Sequence, residues 1–251
     1  MFSQCSYERK DDDLDGYYDD DEAGNERDCV DDPDMNPDAA NINPGAEEIC
    51  DNGIDEDCDG YDHSPTCPPP GTPIIIKLNQ GPMALTNPMD GVWFDINNDG
   101  TLERVAWTQF GSCTAFLAYD ENGNGIIDSA AELIGDCTDV PGRHSFKNGF
   151  EVLRYFDTWN MGGNSDGVID DGDEIYPKLL LWIDLNHNGF SEANELLELS
   201  DYIQSLDWTY KVSERRDKWG NLLRWRGKIY FIDAGKGRQE YAWDAVLLRV
   251  K

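Results

Sequence analysis

The stretch Asp184-Leu185-Asn186-His187-Asn188-Gly189-Phe190-Ser191-Glu192-Ala193-Asn194-Glu195 places oxygen-bearing side chains and one glycine at fixed intervals. Counting from Asp184, positions 3 and 5 are Asn186 and Asn188, position 6 is Gly189 and position 12 is Glu195. A hard cation such as Ca²⁺ takes six to eight oxygen ligands, and a twelve-residue loop supplies them at positions 1, 3, 5 and 12 and from the main-chain carbonyl of position 7, here Phe190. Only glycine turns sharply enough at position 6. The stretch therefore predicts a calcium loop.

A second complete copy of this pattern lies near the amino terminus, with Gly16 at position 6. Its predicted ligands are Asp11, Asp13, Asp15, the carbonyl of Tyr17, and Glu22. The same acidic segment continues with Asp28, Asp31, Asp32, Asp55, Asp57 and Asp59, which we also expect to be metal ligands.

Three further runs follow the pattern with departures. The first contains Asp95, Asn97, Asp99, the Thr101 carbonyl and Glu103, with Ala106 at position 12. The second contains Asp120, Asn122, Asn124, the Ile126 carbonyl, Asp128 and, one place late, Glu132. The third contains Asp157, then an insertion over 158–163, then Asn164, Asp166, the Val168 carbonyl, Asp170 and Asp173. Such clusters also form ordinary turns on acidic surfaces, but five runs in 251 residues favour calcium binding.

The charge is large and unevenly distributed. The formal net charge is −31; residues 1–66 carry 23 acidic and 3 basic side chains, whereas residues 201–251 carry 7 acidic and 11 basic ones. Nucleic-acid binding needs basic surface for phosphate contacts, so we exclude that class. Two like charges ~4 Å apart repel by roughly 4 kcal/mol at an effective dielectric of ~20, so the loops are expected to form well only with a cation. A disordered acidic tail is the alternative for the first segment.

The positions of the cysteines and a proline-rich linker indicate how the chain is divided into domains. Five of the seven cysteines lie in the first 67 residues, which favours a small module in an oxidising compartment, and the odd count leaves one thiol free or paired between chains. No apolar run is long enough to span a membrane, and Met1 to Lys10 lacks a signal-peptide core, so a secreted protein is expected here in mature or truncated form. A proline-rich linker at 68–73 separates a module at 1–67 from a domain at 74–251.

The sequence predicts an α+β fold for the second domain. Strands are predicted at 74–78 and 91–94, a hairpin over 102–120, and helices at 145–157 and 192–199. Position 8 of three loops is aliphatic (Leu102, Ile127 and Ile169), which predicts short strand pairing between loops. Residues 223–229 and 241–247 alternate apolar and polar side chains, which predicts antiparallel strands with one wet face.

Two family resemblances rest on these residues. Residues 11–62 resemble the MopE-type metal-binding repeat of secreted bacterial proteins, through Asp13-Leu14-Asp15-Gly16-Tyr17, Asn43-Pro44-Gly45-Ala46 and Asp57-Cys58-Asp59-Gly60. The resemblance implies a calcium-binding, disulfide-pinned module with a Cys50–Cys58 bridge. The namesake of this repeat binds copper, which prefers imidazole or soft sulfur ligands. Because His63, His144 and His187 are scattered along the chain, a copper site does not follow from these residues.

Residues 72–251 resemble large extracellular bacterial proteins of the repeats-in-toxin kind, including FrpC-like proteins. The matching text includes Gly91-Val92-Trp93-Phe94-Asp95, Glu132-Leu133-Ile134-Gly135-Asp136 and Leu181-Trp182-Ile183-Asp184. The resemblance implies an EF-hand-like domain that binds several Ca²⁺ ions. Cys113 and Cys137 flank the loop that begins at Asp120 at similar distances, which predicts a bridge between them. FrpC-like relatives cut an Asp-Pro bond when calcium binds; the corresponding place here is Asp90-Gly91, which lacks the proline.

These observations predict a secreted, non-enzymatic calcium-binding structural protein of a surface, matrix or filament. Its expected partners are other copies of itself, through the acidic head and the cationic tail, or surface glycans. Glycans are suggested by Trp208, Trp219, Trp225 and Trp243, which are otherwise core residues. An enzyme is not expected, because the chain has no nucleophile elbow, zinc-protease motif or phosphate-binding glycine loop. Calcium-triggered self-cleavage at Asp90 is the one catalytic alternative.

Overall fold

Antiparallel β-strands dominate the regular structure of this protein. The computed structural model describes residues 14, 39–46, 56, 58, 71–81, 83–143, 146–232 and 238–250. The chain divides into two compact units, Met1–Pro68 and Pro69–Lys251. In the first unit a 3-10 turn at Ala39–Asn41 precedes Asn43, whose main-chain N–H donates to the Glu56 carbonyl at 2.8 Å.

The second unit holds eleven strands and one α-helix among its described residues. The strands are β1 Ile74–Lys77, β2 Val92–Phe94, β3 Glu103–Val105, β4 Thr114–Tyr119, β5 Val168–Ile169, β6 Leu179–Trp182, β7 Leu196–Glu198, β8 Ile203–Arg216, β9 Leu222–Phe231, β10 Gln239–Val246 and β11 Arg249–Val250. The helix is α1, Gly149–Phe156. Short 3-10 turns lie at Pro88–Asp90, Ala130–Glu132, Trp159–Met161, Tyr176–Lys178 and Leu199–Asp201.

The strands form two sheets. Eight of them pair in the order β5-β8-β9-β10-β1-β4-β6-β7, and the other three pair as β11-β3-β2. Every strand pairing is antiparallel. In β9 the side chains alternate between buried and partly exposed along most of the strand, which confirms the period-2 prediction for this segment.

The core lies on both faces of the large sheet because its central strand is apolar throughout. On β1, Ile74 and Ile76 pack in one cluster with Phe150 of α1, whereas Ile75 packs on the other face with Phe94 of the small sheet. All three isoleucines are completely buried. Each contributes roughly 1.5–3 kcal/mol relative to an exposed side chain. The order of layers is therefore helix, large sheet, small sheet.

The α+β, EF-hand-like expectation is wrong. The described residues contain one helix of eight residues in an otherwise antiparallel β unit, so the loops are not flanked by helix pairs. The helix predicted over 192–199 is instead β7, which pairs with β6 because Leu196 lies opposite Trp182 and Leu197 opposite Leu181. The hairpin predicted over 102–120 is also wrong: β3 pairs with β2 and β11, and β4 pairs with β1 and β6.

The helix predicted over 145–157 is confirmed in its central part by α1. The Asn148 side chain caps it by accepting from the Glu151 N–H at 3.0 Å. Phe150, Val152, Leu153 and Phe156 point into the core. No helix in the described part of the chain is long and apolar enough to cross a membrane.

Candidate functional site: four oxygen-lined loops

The four predicted loops of the second unit share one backbone conformation. We name them the Asp95 loop (95–106), the Asp120 loop (120–132), the Asp157 loop (157–173) and the Asp184 loop (184–195). Position 6 is a left-handed glycine in each, with φ of +84° at Gly100, +82° at Gly125, +102° at Gly167 and +75° at Gly189. Position 4 is left-handed as well, with φ of +55° at Asn98, +70° at Gly123, +61° at Ser165 and +60° at His187. Two left-handed residues per loop bend the chain around its own centre.

The first aspartate of each loop accepts hydrogen bonds from main-chain N–H groups of its own loop. The donors are positions 5 and 6 in three loops, and positions 4 and 6 in the Asp157 loop. In the Asp184 loop its two carboxylate oxygens accept from the N–H groups of Asn188 at 3.1 Å and Gly189 at 2.9 Å. Asp95 and Asp120 repeat this pair of contacts. Asp157 accepts from Ser165 and Gly167 across its insertion, so it takes the place in its loop that the first aspartate has in the other three. Trp107 and Trp208 donate indole N–H groups to Asp184 and Asp157, each at 2.9 Å.

Position 5 fixes position 7 in the same way in all four loops. The position-7 N–H donates to the position-5 side chain at Thr101, Ile126, Val168 and Phe190, over 2.7–3.1 Å. At position 3, the Asn122 and Asn164 side chains accept from the position-5 N–H, and the Asn97 amide donates to Asp99 at 3.1 Å. Side chains at positions 1, 3 and 5 are thus drawn together in each loop.

A terminal acid folds back across three of the loops. Glu195 accepts from the N–H groups of Leu185 and Glu192, and Glu132 accepts from Asp128 N–H and from the Asn122 side chain. Asp173 accepts from Asn164 and Asp170. The Asp95 loop lacks this closure, because Glu103 pairs with Arg249 at 3.1 Å and position 12 is the buried Ala106.

Three buried side-chain oxygens of these loops have no hydrogen-bond partner. They are Asn97 Oδ1, Glu103 Oε2 and Glu192 Oε2. An unpaired buried acceptor costs ~1–3 kcal/mol, and a cation satisfies acceptors without donating a hydrogen. The oxygen-only donor set and these orphaned acceptors fit a hard divalent ion. No group of three or more His, Cys, Asp and Glu side chains placed to hold a metal ion occurs among the described residues.

Two of the loops are joined at position 8. The Ser191 hydroxyl accepts from Ile127 N–H at 2.6 Å and donates to the Ile127 carbonyl at 3.2 Å. The predicted pairing of aliphatic position-8 residues is therefore wrong in detail. Ile169 pairs with Leu206 of β8, and Leu102 is 56% exposed.

Comparison with known proteins assigns the second unit to a family. The family model described as SPM domain matches residues 74–245, more than half of the chain. The chain belongs to the SPM-domain family. It is also similar to the iron-regulated protein FrpA of Neisseria meningitidis serogroup C, with 38% identity over 144 residues. That match covers 57% of this chain and 12% of the relative.

The comparisons confirm the predicted FrpC-like resemblance at the level of the family. The MopE-type resemblance of residues 11–62 stays a prediction. Its predicted ligands lie outside the described residues: Asp11, Asp13, Asp15, Tyr17, Glu22, Asp28, Asp31, Asp32, Asp55, Asp57 and Asp59. Leu14, at position 4 of the first loop, has a φ of +65°, as position 4 has in the loops of the SPM domain.

The predictions for the cysteines and the tryptophans have different outcomes. Cys113 and Cys137 are both free in the SPM domain, so the predicted bridge between them is wrong. Cys58 is disulfide-bonded, and Cys50, its predicted partner, lies outside the described residues. Trp225 and Trp243 are buried, as core residues are, and the Trp219 indole donates to the Leu85 carbonyl.

Burial changes the pKa values of several loop carboxylates. It raises the pKa of Glu132 to about 7, and it also raises the pKa values of Asp173, Glu195 and Glu103. Hydrogen bonds, first from Thr101 N–H, lower the pKa of Asp99. Because a carboxylate binds a metal in its deprotonated form, metal binding at Glu132 would release a proton.

Sequence reasoning missed two loop residues. Glu192 stands at position 9 and accepts from the Asn186 and Asn188 side chains; an acid at that position was the available signal. The two ring nitrogens of His187 lie 2.8 Å from the Thr108 carbonyl and 2.7 Å from the Asp90 carbonyl. This histidine therefore braces the Asp184 loop against neighbouring segments and does not face the loop oxygens.

A second buried polar cluster lies where β1 begins. Asp244 is completely buried, and one of its oxygens accepts from Gly149 N–H at 2.6 Å while the other has no partner. Asp136 accepts from Thr72 N–H at 2.6 Å. Burial raises the pKa of Asp244 well above its usual value; Asp136 raises it further, and the Gly149 N–H, Thr72 and Arg224 act against this.

Asp244→Asn is expected to stabilise the SPM domain at alkaline pH. Because the folded-state pKa is raised, the contribution of Asp244 to stability is present below its unfolded pKa of ~3.9 and is lost as pH rises through the folded value. A neutral amide avoids that loss, by about 1–3 kcal/mol. Urea unfolding at pH 5 and pH 9 measures it, with the exposed Asp201→Asn as control; equal pH dependence in wild type and Asp244→Asn would contradict the assignment.

Proposed function

We propose that this protein is a secreted, non-enzymatic calcium-binding structural protein of the cell surface, an extracellular matrix or a filament, which Ca²⁺ makes rigid. One observation carries the proposal: four loops with a common backbone gather hard oxygen ligands, and orphaned acceptors remain within two of them. The FrpA relative is named for iron regulation, which concerns that protein.

Calcium suits these loops better than other common ions. Transition metals prefer imidazole or thiolate, and in the second unit His187 binds carbonyl groups, while Cys137 is buried outside the loops. Mg²⁺ requires near-ideal octahedral geometry, whereas Ca²⁺ accepts the irregular sets seen here. Extracellular calcium modules commonly bind at ~10⁻⁴–10⁻³ M, so the ion would be bound outside the cell.

A bound ion would neutralise the charge of the loop carboxylates and would link each loop to the sheet. In the Asp184 loop the residues that would hold it are Asp184, Asn186, Asn188, the Phe190 carbonyl and Glu195, with Glu192 at position 9. Because Trp107 is completely buried and contacts both the core and Asp184, ordering of this loop would reach the core directly. We extend the proposal to the MopE-type segment at 11–62, as a disulfide-pinned calcium module.

Removal of calcium tests the proposal. With excess chelator we expect loss of near-ultraviolet circular dichroism, because Trp107 and Trp208 donate to loop aspartates, and a fall in the melting temperature. Restoring calcium should restore both, and magnesium at equal concentration serves as the control. No change with chelator, in a sample that contains no calcium, would overturn the proposal.

A second candidate is calcium-triggered self-cleavage at Asp90–Gly91, favoured by one contact. The Asp90 carbonyl lies 2.7 Å from His187 Nε2 of the Asp184 loop, so calcium binding there would act on the bond through this histidine. Attack of the Asp90 carboxylate on its own carbonyl carbon would break the bond to the Gly91 nitrogen, which would take a proton from water and leave as an amine. The cyclic anhydride that remains would then be opened by hydrolysis. Intact mass after calcium addition, with Asp90→Asn as control, decides this; an unchanged mass excludes it.

A further inference from the structure

An apolar groove lies between three of the loops in the second unit. It has a volume of about 530 Å³. Strand β2 forms one wall, and residues at positions 4 to 9 of the loops, including the apolar ones at positions 7 and 8, form the rest. The apolar lining residues are Val92, Trp93, Phe94, Leu102, Ile126, Ile127 and Phe190.

The groove exposes large side chains on a highly charged protein. Phe190 is 70% exposed, Trp93 59%, Leu102 56% and Ile126 44%. Exposed apolar side chains gathered in one concave place, rather than scattered singly, mark a binding surface. Their position on the loops ties the shape of the groove to loop conformation, since each position-7 N–H is fixed by the position-5 side chain.

The three loops that line the groove stay acidic even with calcium bound. Residues 95–106, 120–132 and 184–195 contain ten Asp and Glu side chains and one Arg, and Arg249 pairs with Glu103. Three divalent ions would supply six positive charges, so these loops keep a net negative charge. A complementary occupant therefore has an apolar side chain flanked by cations.

The β8–β9 hairpin of the same chain has that chemistry. Residues 208–228 contain seven Lys and Arg against two acidic side chains. Val212 of β8 is 72% exposed, and Lys211 and Arg215, which precede and follow it in the sequence, are exposed as well. No residue of this hairpin lines the groove of its own molecule, so the contact would join two copies.

We propose that the groove between the Asp95, Asp120 and Asp184 loops binds the cationic β8–β9 hairpin of a second copy when calcium is bound. The proposal rests on the proposed structural function and names its partner. Groove and hairpin are different surfaces, so the contact is heterologous, and repetition without closure produces an open chain of copies. Screening weakens such a contact at high salt.

Two variants and their mixture test the proposal with the full chain. Sedimentation velocity in millimolar calcium at low salt should show wild-type assemblies that dissociate at 1 M salt or in chelator. Trp93→Ser, in the groove, and Lys211→Glu with Arg215→Glu, on the hairpin, should each be monomeric. Their equimolar mixture should form dimers and nothing longer, because one intact groove and one intact hairpin remain. Phe110→Ser, an aromatic that is 68% exposed outside the groove, should assemble like wild type.

The outcomes separate this proposal from calcium binding itself. A wild-type monomer that still gains thermal stability with calcium would overturn the groove contact and leave the proposed function standing. A monomer without calcium response would overturn both. Assembly of either variant alone to the wild-type extent, or a mixture without dimers although both variants melt like wild type, would also overturn the contact; a non-reducing gel excludes disulfide-linked species.

Discussion

Asp184→Ala is expected to destabilise the protein by about 3–5 kcal/mol even without calcium. The Asp184 carboxylate is buried and accepts three hydrogen bonds, from Trp107 Nε1, Asn188 N and Gly189 N. Alanine leaves these donors without a partner, each at ~1–3 kcal/mol and less than additively. With calcium present the difference from wild type should widen, because the variant also loses a charged ligand.

Urea unfolding in chelator and in millimolar calcium measures this effect. Asp201→Ala is the matched control, since Asp201 is exposed, and it should change stability by less than about 0.5 kcal/mol. If Asp184→Ala were no more damaging than Asp201→Ala, the loop would not be the structural junction that its contacts describe.

Glu195→Gln should have opposite effects on the stability of the protein in chelator and in calcium. Burial raises the pKa of Glu195, and Glu192 adds to the shift, so the charged side chain is unfavourable in the folded loop without metal. The neutral amide removes this cost and keeps its acceptor oxygen for Leu185 N–H, which Glu195 binds at 2.8 Å, while only the longer 3.3 Å contact from Glu192 N–H is lost. In chelator at pH 7.5 the variant should therefore equal or exceed wild type in stability.

In calcium the order should reverse. A bidentate carboxylate at position 12 is the strongest single contribution to such a loop, and we expect its loss to weaken calcium binding at least about tenfold, equivalent to about 1.4 kcal/mol. Glu198→Gln, an exposed change three residues further on, controls for the loss of charge. Equal calcium stabilisation in both variants would show that Glu195 does not bind the ion.

The local loop geometry followed from the sequence because it depends on local rules. Glycine at position 6 and short oxygen side chains at positions 1 and 5 were enough to predict the turns at Gly100, Gly125 and Gly189. Even Asp157, displaced by an insertion, was placed correctly, because the spacing from Asn164 to Asp173 kept the rest of that loop in frame.

The elements around the loops were not predictable in the same way. Residues 192–199 have a helical appearance, yet Leu196 and Leu197 pair with β6, and this long-range pairing outweighs local propensity. The partners of β4, which are β1 and β6, lie far along the chain, and β3 pairs with the preceding β2 and the distant β11, whereas the sequence favoured a local hairpin between β3 and β4. Burial of Asp244 next to Gly149 likewise depends on contacts between distant segments.

The groove depends both on local loop geometry and on long-range contacts of the fold. Exposed residues at positions 7 and 8, such as Ile126 and Phe190, are fixed locally by the loops, but only the fold brings three loops beside Trp93 of β2. Sequence alone pointed to an acidic head and a cationic tail as the complementary pair. The structure adds a groove within the second unit as a partner for that tail.

Direct counting of bound calcium on the SPM domain is the most decisive measurement. Equilibrium dialysis of residues 69–251 against ⁴⁵Ca²⁺ at millimolar concentrations should find about three to four ions per chain, one per closed loop and a weaker one at the Asp95 loop, and Glu195→Gln should lose one of them. The same titration should raise the melting temperature. Less than one ion per folded chain at millimolar calcium, with melting indifferent to chelator, would contradict the account.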